Sequence, residues 1–346
     1  MSASPRVGVY ALGFPKTSQT WAVNKVVGLI DAGMDVQVFC RWEGQWDRFQ
    51  VFRDRPELRE RVHFLPAEPG RPWSARSAAR VTMRFATTIR RHPRSFVRFV
   101  VHNWKWRHRN VLGFWSGLYD RLPFVGQSID ILHLELDTMA PRVADIKEFL
   151  GCQLVLSGRS TLQYTGKPDE WPGGYDSLFK MADLYHVECD YTRKNLRHLG
   201  LDNSVPIALI PSAVAATELF APDGDRPLRE PDEIFRILSV GRLAVEKGHE
   251  FALDAVARLH RAGLPVTYTI VGQGAYEEAI RFAAHQLGLV EAGVVRFAGT
   301  VARESVADFY READVLLHAS TDEGVSNVLI EAQAMELAVV ASAAAG

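Results

Sequence analysis

The stretch Asp322-Glu323-Gly324-Val325-Ser326-Asn327-Val328-Leu329-Ile330-Glu331 decides the fold, because a strand pattern changes into a helix pattern across it. A short apolar run, Asp314–His318, precedes it and predicts a buried parallel strand. Helical spacing then runs from about Ser326 to Glu336, with one apolar face made of Val328, Leu329, Ala332 and Met335. The pattern therefore places Glu323 and Gly324 in a strand-to-helix loop and Glu331 about two turns into the helix.

This loop has the chemistry of a phosphate site. A loop of small residues before a helix exposes backbone N–H groups and the positive end of the helix dipole, and both favour a phosphate. The carboxylates of Glu323 and Glu331 flank that point and can accept hydrogen bonds from hydroxyl groups. A phosphate position between two carboxylates that can accept hydrogen bonds from hydroxyl groups indicates a site for a sugar nucleotide.

Strands and helices alternate on both sides of a proline-rich interval. Arg6–Leu12, the helical Trp21–Ala32 and Val36–Phe39 open the chain as a βαβ unit, and the alternation restarts at Phe235. Such alternation predicts parallel sheets, whose ligands bind at the carboxyl ends of the strands. We therefore predict a first domain over 1–212, a linker over 213–234 and a second domain over 235–346. The Asp-x-Asp pair at Asp223 and Asp225 is interpreted as a solvated turn in that linker.

Composition excludes several classes of protein. The 346 residues carry a net charge near −1, so the molecule as a whole does not resemble a polyanion-binding protein. The three cysteines, Cys40, Cys152 and Cys189, are far apart and lack CxxC spacing, which indicates a reducing compartment without a zinc site or disulfide framework. The N-terminus lacks a signal-peptide pattern, and no apolar run approaches the ~18 residues of a spanning helix. We therefore expect a cytoplasmic protein.

One segment, 71–110, departs from the rest of the chain in charge. It holds eleven Arg or Lys residues and no Asp or Glu, with six large aromatic side chains interleaved. Its pattern is helical, with a break at Pro93. A basic, aromatic helix pair suits an anionic membrane surface, so we predict peripheral association with the inner face of a membrane. The alternatives are a solvated face whose aromatic residues pack on the domain and, less favoured without a recognition module, a nucleic-acid patch.

Loops that follow the strands of the second half carry further candidates. Arg242 and Lys247 are five residues apart in one loop, which predicts a guanidinium and an ammonium near the same diphosphate. Gly272 and Gly274 form a weak Gly-x-Gly signal in the next loop. Thr300-Val301 follows another strand and could offer backbone groups to a base. The competing interpretation of the first loop is an exposed Arg242 beside a Glu246–Lys247 pair.

The first half supplies candidates for the acceptor side. The turn-rich loop Phe14–Thr20 follows the first strand, and its Ser18 and Thr20 are placed to face a ligand. His133, Glu135 and Arg159 occur at or just beyond strand ends and are therefore candidates for the same edge of the sheet. A lone histidine on an apolar strand is also commonly a satisfied core residue, and that alternative stays open for His133.

The order of these motifs resembles a known family. Gly241-Arg242-Leu243 through Glu246-Lys247-Gly248, then Gly272-Gln273-Gly274, Gly299, and Glu323 and Glu331 separated by seven residues look like the retaining family-4 glycosyltransferases of GT-B fold. The opening Phe14-Pro15-Lys16-Thr17-Ser18-Gln19-Thr20 also resembles a subgroup that often acts in polysaccharide assembly. The family usually continues beyond the position of Gly346, so the resemblance implies an incomplete second domain.

That resemblance implies an α/β protein of two Rossmann-like domains facing across a cleft, with no cofactor and no obligatory metal. Arg242 and Lys247 would neutralise the leaving diphosphate, and Glu323 would contact the transferred sugar. Glu331 would bind the ribose hydroxyls, and the backbone of Gly324, Val325, Ser326 and Asn327 would meet sugar or phosphate. Many relatives have a histidine where this chain has Glu135.

The resemblance implies transfer from a UDP- or GDP-sugar, with retention, to a glycan or lipid-linked acceptor in polysaccharide or glycolipid biosynthesis. The alternatives are a degenerate GT-B protein that binds a nucleotide sugar without transfer and a nucleotide-sugar epimerase. A glycan phosphorylase is disfavoured, because no motif for a pyridoxal-phosphate lysine is found. No nucleic-acid partner is expected.

Overall fold

The computed structural model describes residues 4–16, 19–64, 75–107, 111–159, 174–212, 219–222, 224 and 233–344. The chain divides into two compact units, Met1–Ile210 and Pro211–Gly346. Each unit contains one sheet in which every described strand pair is parallel. Parallel strands need crossover connections, and helices supply them in both units.

The first unit is a doubly wound α/β sheet. Its strands are β1 (Arg6–Phe14), β2 (Asp35–Glu43), β3 (Val62–Phe64), β4 (Ile131–Leu134), β5 (Gln153–Gly158), β6 (Leu184–Val187) and β7 (Ile207–Leu209). Its helices are α1 (Thr20–Asp31), α2 (Gln50–Asp54), α3 (Ala75–Arg91), α4 (Pro93–Arg107), α5 (Val111–Arg121), α6 (Ala140–Val143), α7 (Ile146–Leu150), α8 (Gly174–Met181) and α9 (Asp190–His198). The strand order β3-β2-β1-β4-β5-β6-β7 reverses direction at β1, so the carboxyl ends of β1 and β4 lie side by side.

Alternation along β1 builds a core on each face of this sheet. Val7, Val9 and Ala11 belong to one buried cluster, whereas Tyr10 belongs to the other. Successive side chains of a strand point to opposite faces, so a central strand buried on both faces is apolar throughout. Val9, in the middle of β1, is fully buried, as a residue of a central strand should be.

Helix α4 is anchored to the first unit through one side. Phe99 and Asn103, one turn apart, are fully buried. The Arg121 guanidinium donates to the Asn103 side-chain oxygen at 3.0 Å and to Asp145 at 2.5 Å, and it is itself fully buried. A buried, paired guanidinium holds α4 and α5 in one register, because breaking such a pair leaves an uncompensated charge.

The second unit repeats the alternation with five strands in its described part. The strands are β8 (Phe235–Val240), β9 (Val266–Val271), β10 (Val295–Gly299), β11 (Val315–His318) and β12 (Ala338–Ala341). The helices are α10 (His249–Arg261), α11 (Glu277–Gln286), α12 (Arg303–Glu312) and α13 (Asn327–Ala334). The strand order is β10-β9-β8-β11-β12, with buried clusters on both faces.

Part of the predicted linker belongs to the core of the second unit. Phe220 is 2% exposed, and its ring lies 5.9 Å from that of Tyr310. Leu219 packs against the same cluster. The interval after Pro211 therefore contributes apolar side chains to the sheet that follows it.

Two details differ from the sequence prediction. Lys247 ends a short 3-10 turn, Val245–Lys247, where the pattern predicted no helix. Helix α13 begins at Asn327 because Ser326 has an extended backbone (φ −87°, ψ 109°), so Glu331 is the fifth helical residue and lies little more than one turn in. Among the described residues, no helix is both long and apolar enough to cross a membrane.

Candidate functional site

Loops that follow β8, β9, β10 and β11 share one edge of the second sheet. These strands are neighbours and all run parallel, so their carboxyl ends meet at that edge. The loops contain the predicted candidates Arg242, Lys247, Gly272, Gly274, Thr300, Val301, Glu323, Gly324 and Val325. The edge is therefore where a ligand of this unit would bind.

Glycines let the first two of these loops approach each other closely. Gly272 has φ +136°, and a Cβ there would overlap the carbonyl oxygen of Gly241. A Cβ at Gly274 would likewise overlap the carbonyl oxygen of Leu243. The Gly272 N–H also donates to the Gly299 oxygen at 2.8 Å. Backbone packing thus requires Gly272 and Gly274 before any ligand is considered.

A second close approach joins the loop after β8 to the loop after β11. Gly248 has φ +59°, and a Cβ there would overlap the carbonyl oxygen of Ala319. The Glu246 carbonyl accepts hydrogen bonds from Ser320 Oγ at 2.8 Å and from the Thr321 N–H at 2.8 Å. These contacts bring residue 247 beside residue 323, although 76 positions separate them.

Glu323 accepts two hydrogen bonds through the same carboxylate oxygen. Lys247 Nζ forms an ion pair with Oε1, and His318 Nε2 donates to Oε1 at 3.1 Å. Burial alone would raise the pKa of Glu323, but the His318 hydrogen bond and the charge of Lys247 outweigh it and lower the pKa to about 2. Glu323 is therefore ionised at neutral pH and holds the ammonium in place.

Arg242 takes a different carboxylate. Its guanidinium donates to Glu246 at 2.8 Å, and its side chain is 62% exposed. The backbone around it is fixed, because His249 Nε2 donates to the Arg242 carbonyl at 3.1 Å. Burial lowers the pKa of His249 and so favours its neutral form. Arg242 and Lys247 share one loop as predicted, but neither interpretation anticipated the pairing of Arg242 with Glu246 and of Lys247 with Glu323.

Glu331 is held by a buried tyrosine. The Tyr310 hydroxyl donates to Glu331 Oε2 at 3.1 Å. Burial, and then the nearby Glu331 charge, raise the pKa of Tyr310 well above its ordinary value, so the phenol stays protonated and can donate. Helix α13 begins at Asn327, and the N–H groups of Leu329 and Ile330 in its first turn both donate to the Ser326 carbonyl, at 3.1 and 3.3 Å. Three further predicted candidates differ in exposure. Ser326 is buried just before this helix, whereas Thr300, after β10, is exposed. Val301 packs against the core.

Three of the five predicted acceptor-side residues lie at the carboxyl edge of the first sheet. The carboxylate of Glu135 is fully buried and accepts a hydrogen bond from Lys25 Nζ at 3.0 Å. The backbone N–H of Glu135 donates to the backbone carbonyl oxygen of Tyr10. Arg159 pairs with Glu188 at 2.5 Å. Its guanidinium also lies 3.7 Å from the centre of the Trp21 ring. Lys25, Glu135, Arg159 and Glu188 thus form two ion pairs at this edge.

His133 is the third, and it belongs to a neutral hydrogen-bonded chain. Ser157 Oγ lies 2.8 Å from His133 Nε2 and 3.0 Å from His186 Nδ1. Burial, with Lys25 next, lowers the pKa of His133 well below its ordinary value and that of His186 to about 4. A hydroxyl carries one proton, so Ser157 donates to one imidazole and accepts from the other.

The other two acceptor-side candidates are at the first loop. Thr20 is the first residue of α1 and is partly buried, whereas Ser18 lies outside the described residues. Sequence reasoning missed the partners that hold the site: Lys25, Glu188, His318 and Tyr310. Of these, His318 and Glu188 carried a visible signal, because each is a polar residue at the end of an apolar strand. Within the described residues, no three potential metal ligands cluster together.

Comparisons with known proteins agree with this geometry. Residues 234–346 match the family described as glycosyl transferases group 1. Over 99% of its length the chain is 26% identical to the putative colanic acid biosynthesis glycosyltransferase WcaL of Escherichia coli K12, of which 83% is covered. It is 23% identical over 97% of its length to the amylovoran biosynthesis glycosyltransferase AmsK of Erwinia amylovora, of which 82% is covered.

Solved structures show the fold. HepE of Anabaena, in complex with UDP and glucose, aligns over 99% of this chain and 82% of its own with a TM-score of 0.64 at 15% identity. Sucrose-phosphate synthase of Thermosynechococcus elongatus aligns over 99% of this chain and 82% of its own with a TM-score of 0.63 at 18% identity. The predicted α/β architecture with two Rossmann-like sheets is confirmed, and so is the resemblance to GT-B glycosyltransferases. Retention and membership of family 4 stay predictions.

Proposed function

We propose that this glycosyltransferase takes a sugar from a UDP- or GDP-sugar and transfers it with retention, because residues 234–346 match the family described as glycosyl transferases group 1. The proposed acceptor is a glycan or a lipid-linked glycan in polysaccharide or glycolipid biosynthesis. The WcaL and AmsK relatives support the biosynthetic setting by their names, and the UDP in HepE supports a nucleotide donor. The proposed transfer requires no metal.

The Lys247–Glu323 pair is the observation that carries the proposal. Both side chains are partly accessible, at 19% and 15% exposure, and they lie at the sheet edge where ligands bind. A diphosphate carries more negative charge than one carboxylate, so it can take the Lys247 ammonium from Glu323 when a donor binds. Both present contacts of Glu323 use Oε1, so a sugar hydroxyl could approach through Oε2.

Transfer itself then depends on charge placement. The leaving nucleoside diphosphate gains negative charge as its bond to the sugar breaks. An ammonium held at that position stabilises the transition state more than the bound donor, which accelerates the chemical step. Arg242, exposed on the same loop, would assist from the solvent side, and Glu331 would accept from the ribose hydroxyls. The backbone N–H groups of Asn327 and Val328, the first two residues of α13, suit a phosphate.

A thermal-shift screen tests donor binding. UDP, GDP and their sugars would be compared at millimolar concentration, since a ligand that binds only the native state raises its stability by about 2.7 kcal/mol at a hundredfold excess over Kd. We expect one nucleotide diphosphate to raise the melting temperature of the wild type and to raise that of the Lys247→Met variant less. No shift with any nucleotide or nucleotide sugar would contradict the proposal.

Donor hydrolysis separates a transferase from a protein that only binds. We expect slow release of free nucleotide from the preferred donor, because water can replace the missing acceptor. Binding without any release, with or without candidate acceptors, would favour the degenerate binding protein. Conversion of the donor into another nucleotide sugar without an acceptor would favour an epimerase.

A further inference from the structure

Helix α4 has two apolar sides, and only one of them packs on the protein. Phe99 and Asn103 face the core, as described above. Val97, Val101 and Trp104 follow the spacing i, i+4, i+7 and are 63%, 64% and 61% exposed. Residues at this spacing lie on one face of a helix, so the three side chains form a continuous outer stripe.

The outer stripe continues onto α5. The Trp104 ring lies 5.7 Å from that of Phe114, which in turn lies 5.7 Å from that of Trp115. Trp115 is 61% exposed. The outer face, defined as Val97, Val101, Trp104 and Trp115, therefore presents two indole rings beside two valines.

Positive charge borders this face. At 100° per residue, Arg94, Arg98 and Lys105 fall on one flank of the stripe, and Arg90 and Arg91 end the preceding helix α3. Among the residues that the structure describes, Arg90, Arg91 and Arg94 form no ion pair, whereas Lys105 pairs with Glu148 at 3.1 Å. The sequence of α3 and α4 contains no Asp or Glu that could offset this charge.

We propose that the outer face of α4 and α5 docks on an anionic lipid bilayer, with the valines and indoles in the headgroup boundary and the arginines on lipid phosphates. Tryptophan favours the membrane interface because its ring is apolar and its N–H can be hydrated. Basic side chains near the surface are attracted to anionic lipid, and both contributions act in the same direction on one helix.

Charge also argues against two other occupants. A second copy of this face would place arginines opposite arginines, which like-charge repulsion opposes. A nucleic acid would leave the valines against a charged backbone, where apolar burial contributes little. The docking depends on this surface alone and not on the proposed donor chemistry. It would bring the first unit to the bilayer, where a lipid-linked acceptor is held.

Vesicle flotation without any nucleotide tests the docking. We expect the wild type to float with vesicles of phosphatidylcholine and phosphatidylglycerol at low salt, and to stay unbound with phosphatidylcholine alone. Salt near 1 M should release it, because the screening length falls to about 3 Å. Equal recovery on neutral vesicles, or no flotation with anionic vesicles, would overturn the proposal.

Variants assign the contact to this face. The triple variant Arg90→Gln/Arg91→Gln/Arg94→Gln should partition about a hundredfold more weakly, since each basic residue near an anionic surface contributes about fivefold. The variant Val97→Ser/Val101→Ser/Trp104→Ser should bind at least about tenfold more weakly. All six side chains are exposed, so circular dichroism should show unchanged folding.

A matched control uses exposed apolar residues of the second unit. Phe251 and Phe282 are each 65% exposed, on α10 and α11. The Phe251→Ser/Phe282→Ser variant should float like the wild type. If it lost binding as strongly as the outer-face variant, the effect would reflect general hydrophobicity, and the proposed surface would be wrong.

Discussion

Both sheets carry a Lys–Glu ion pair at their carboxyl edges, and the two pairs differ in accessibility. Lys25 lies 3.0 Å from Glu135 in the first unit, where the exposed fractions of the two side chains are 21% and 0%. Lys247 pairs with Glu323 in the second unit, where the fractions are 19% and 15%. In both units the glutamate follows an interior strand of the sheet, and a histidine of that strand lies nearby in sequence.

Desolvation dominates in the first pair, and attraction dominates in the second. Burial lowers the pKa of Lys25, although Glu135 opposes that shift. At Glu323, the His318 hydrogen bond and the Lys247 charge overcome burial and lower the pKa to about 2. The glutamate is therefore fully buried in the first pair and partly accessible in the second. Environment, rather than residue type, separates a structural pair from a candidate binding pair.

The largest effect should come from breaking the Lys25–Glu135 pair, whose carboxylate is fully buried. Lys25→Met leaves a carboxylate in a fully buried position, so the free energy of unfolding should fall by about 3–5 kcal/mol. Urea denaturation at neutral pH measures it. The double variant Lys25→Met/Glu135→Gln should recover most of the loss. If the free energy of unfolding of Lys25→Met stayed within about 1 kcal/mol of the wild-type value, burial would not distinguish the Lys25–Glu135 pair from the Lys247–Glu323 pair.

The pH dependence of stability should separate the pairs next. Glu323 has a pKa of about 2 in the folded chain against an ordinary 4.5. A lowered carboxyl pKa stabilises the fold fully above pH 4.5, and the contribution of about 3 kcal/mol is lost as the pH falls toward 2. Glu323→Gln should lack this loss. Parallel stability curves for wild type and variant across that window would contradict the assignment.

Removing the exchangeable cation should damage activity more than stability. Lys247→Met should lower kcat/KM for the donor about a hundredfold, since one preorganised charge on the leaving group contributes about 3 kcal/mol. Lys247→Arg should keep part of the activity, because it restores the charge with different geometry. Steady-state kinetics with the preferred donor measures both. Full activity of Lys247→Met would remove this pair from the mechanism.

The smallest effect should come from substituting Arg242, and Arg258 provides a matched control. Arg242 pairs with Glu246 at 2.8 Å, and Arg258 pairs with Asp254 at 2.9 Å, both four residues apart and both largely exposed. Arg242→Gln should lower kcat/KM about tenfold, as solvent weakens an exposed charge. Arg258→Gln should leave it unchanged. Equal effects of the two substitutions would assign both arginines to general electrostatics.

Periodicity predicted the elements well and their contacts poorly. The helix predicted over Trp21–Ala32 is observed over Thr20–Asp31, one residue earlier at each end, because apolar positions three and four apart must face the core. Between Phe49 and Ser128 the pattern predicted little beyond two basic helices, and the structure adds α2, β3 and α5. Short elements without a full period carry too little signal to be recognised from sequence.

The site shows the same division. Glu323 and Lys247 were predicted from their loops, but the sequence contained no sign that they form an ion pair across 76 positions. Lys25 was not predicted at all, because a lysine within an amphipathic helix ordinarily faces solvent. Gly272 and Gly274 were predicted as ligand contacts, and the structure supplies a backbone reason for them as well.

The amino-acid sequence alone determined the alternation of strands and helices, the parallel sheets and the edge at which ligands would bind, because periodicity and loop chemistry are local properties. Tertiary structure alone decided which charges meet, which of two similar pairs is buried and which side of α4 stays exposed. Those outcomes depend on distances between residues far apart in sequence and on the water excluded around them, and burial determines whether attraction or desolvation prevails.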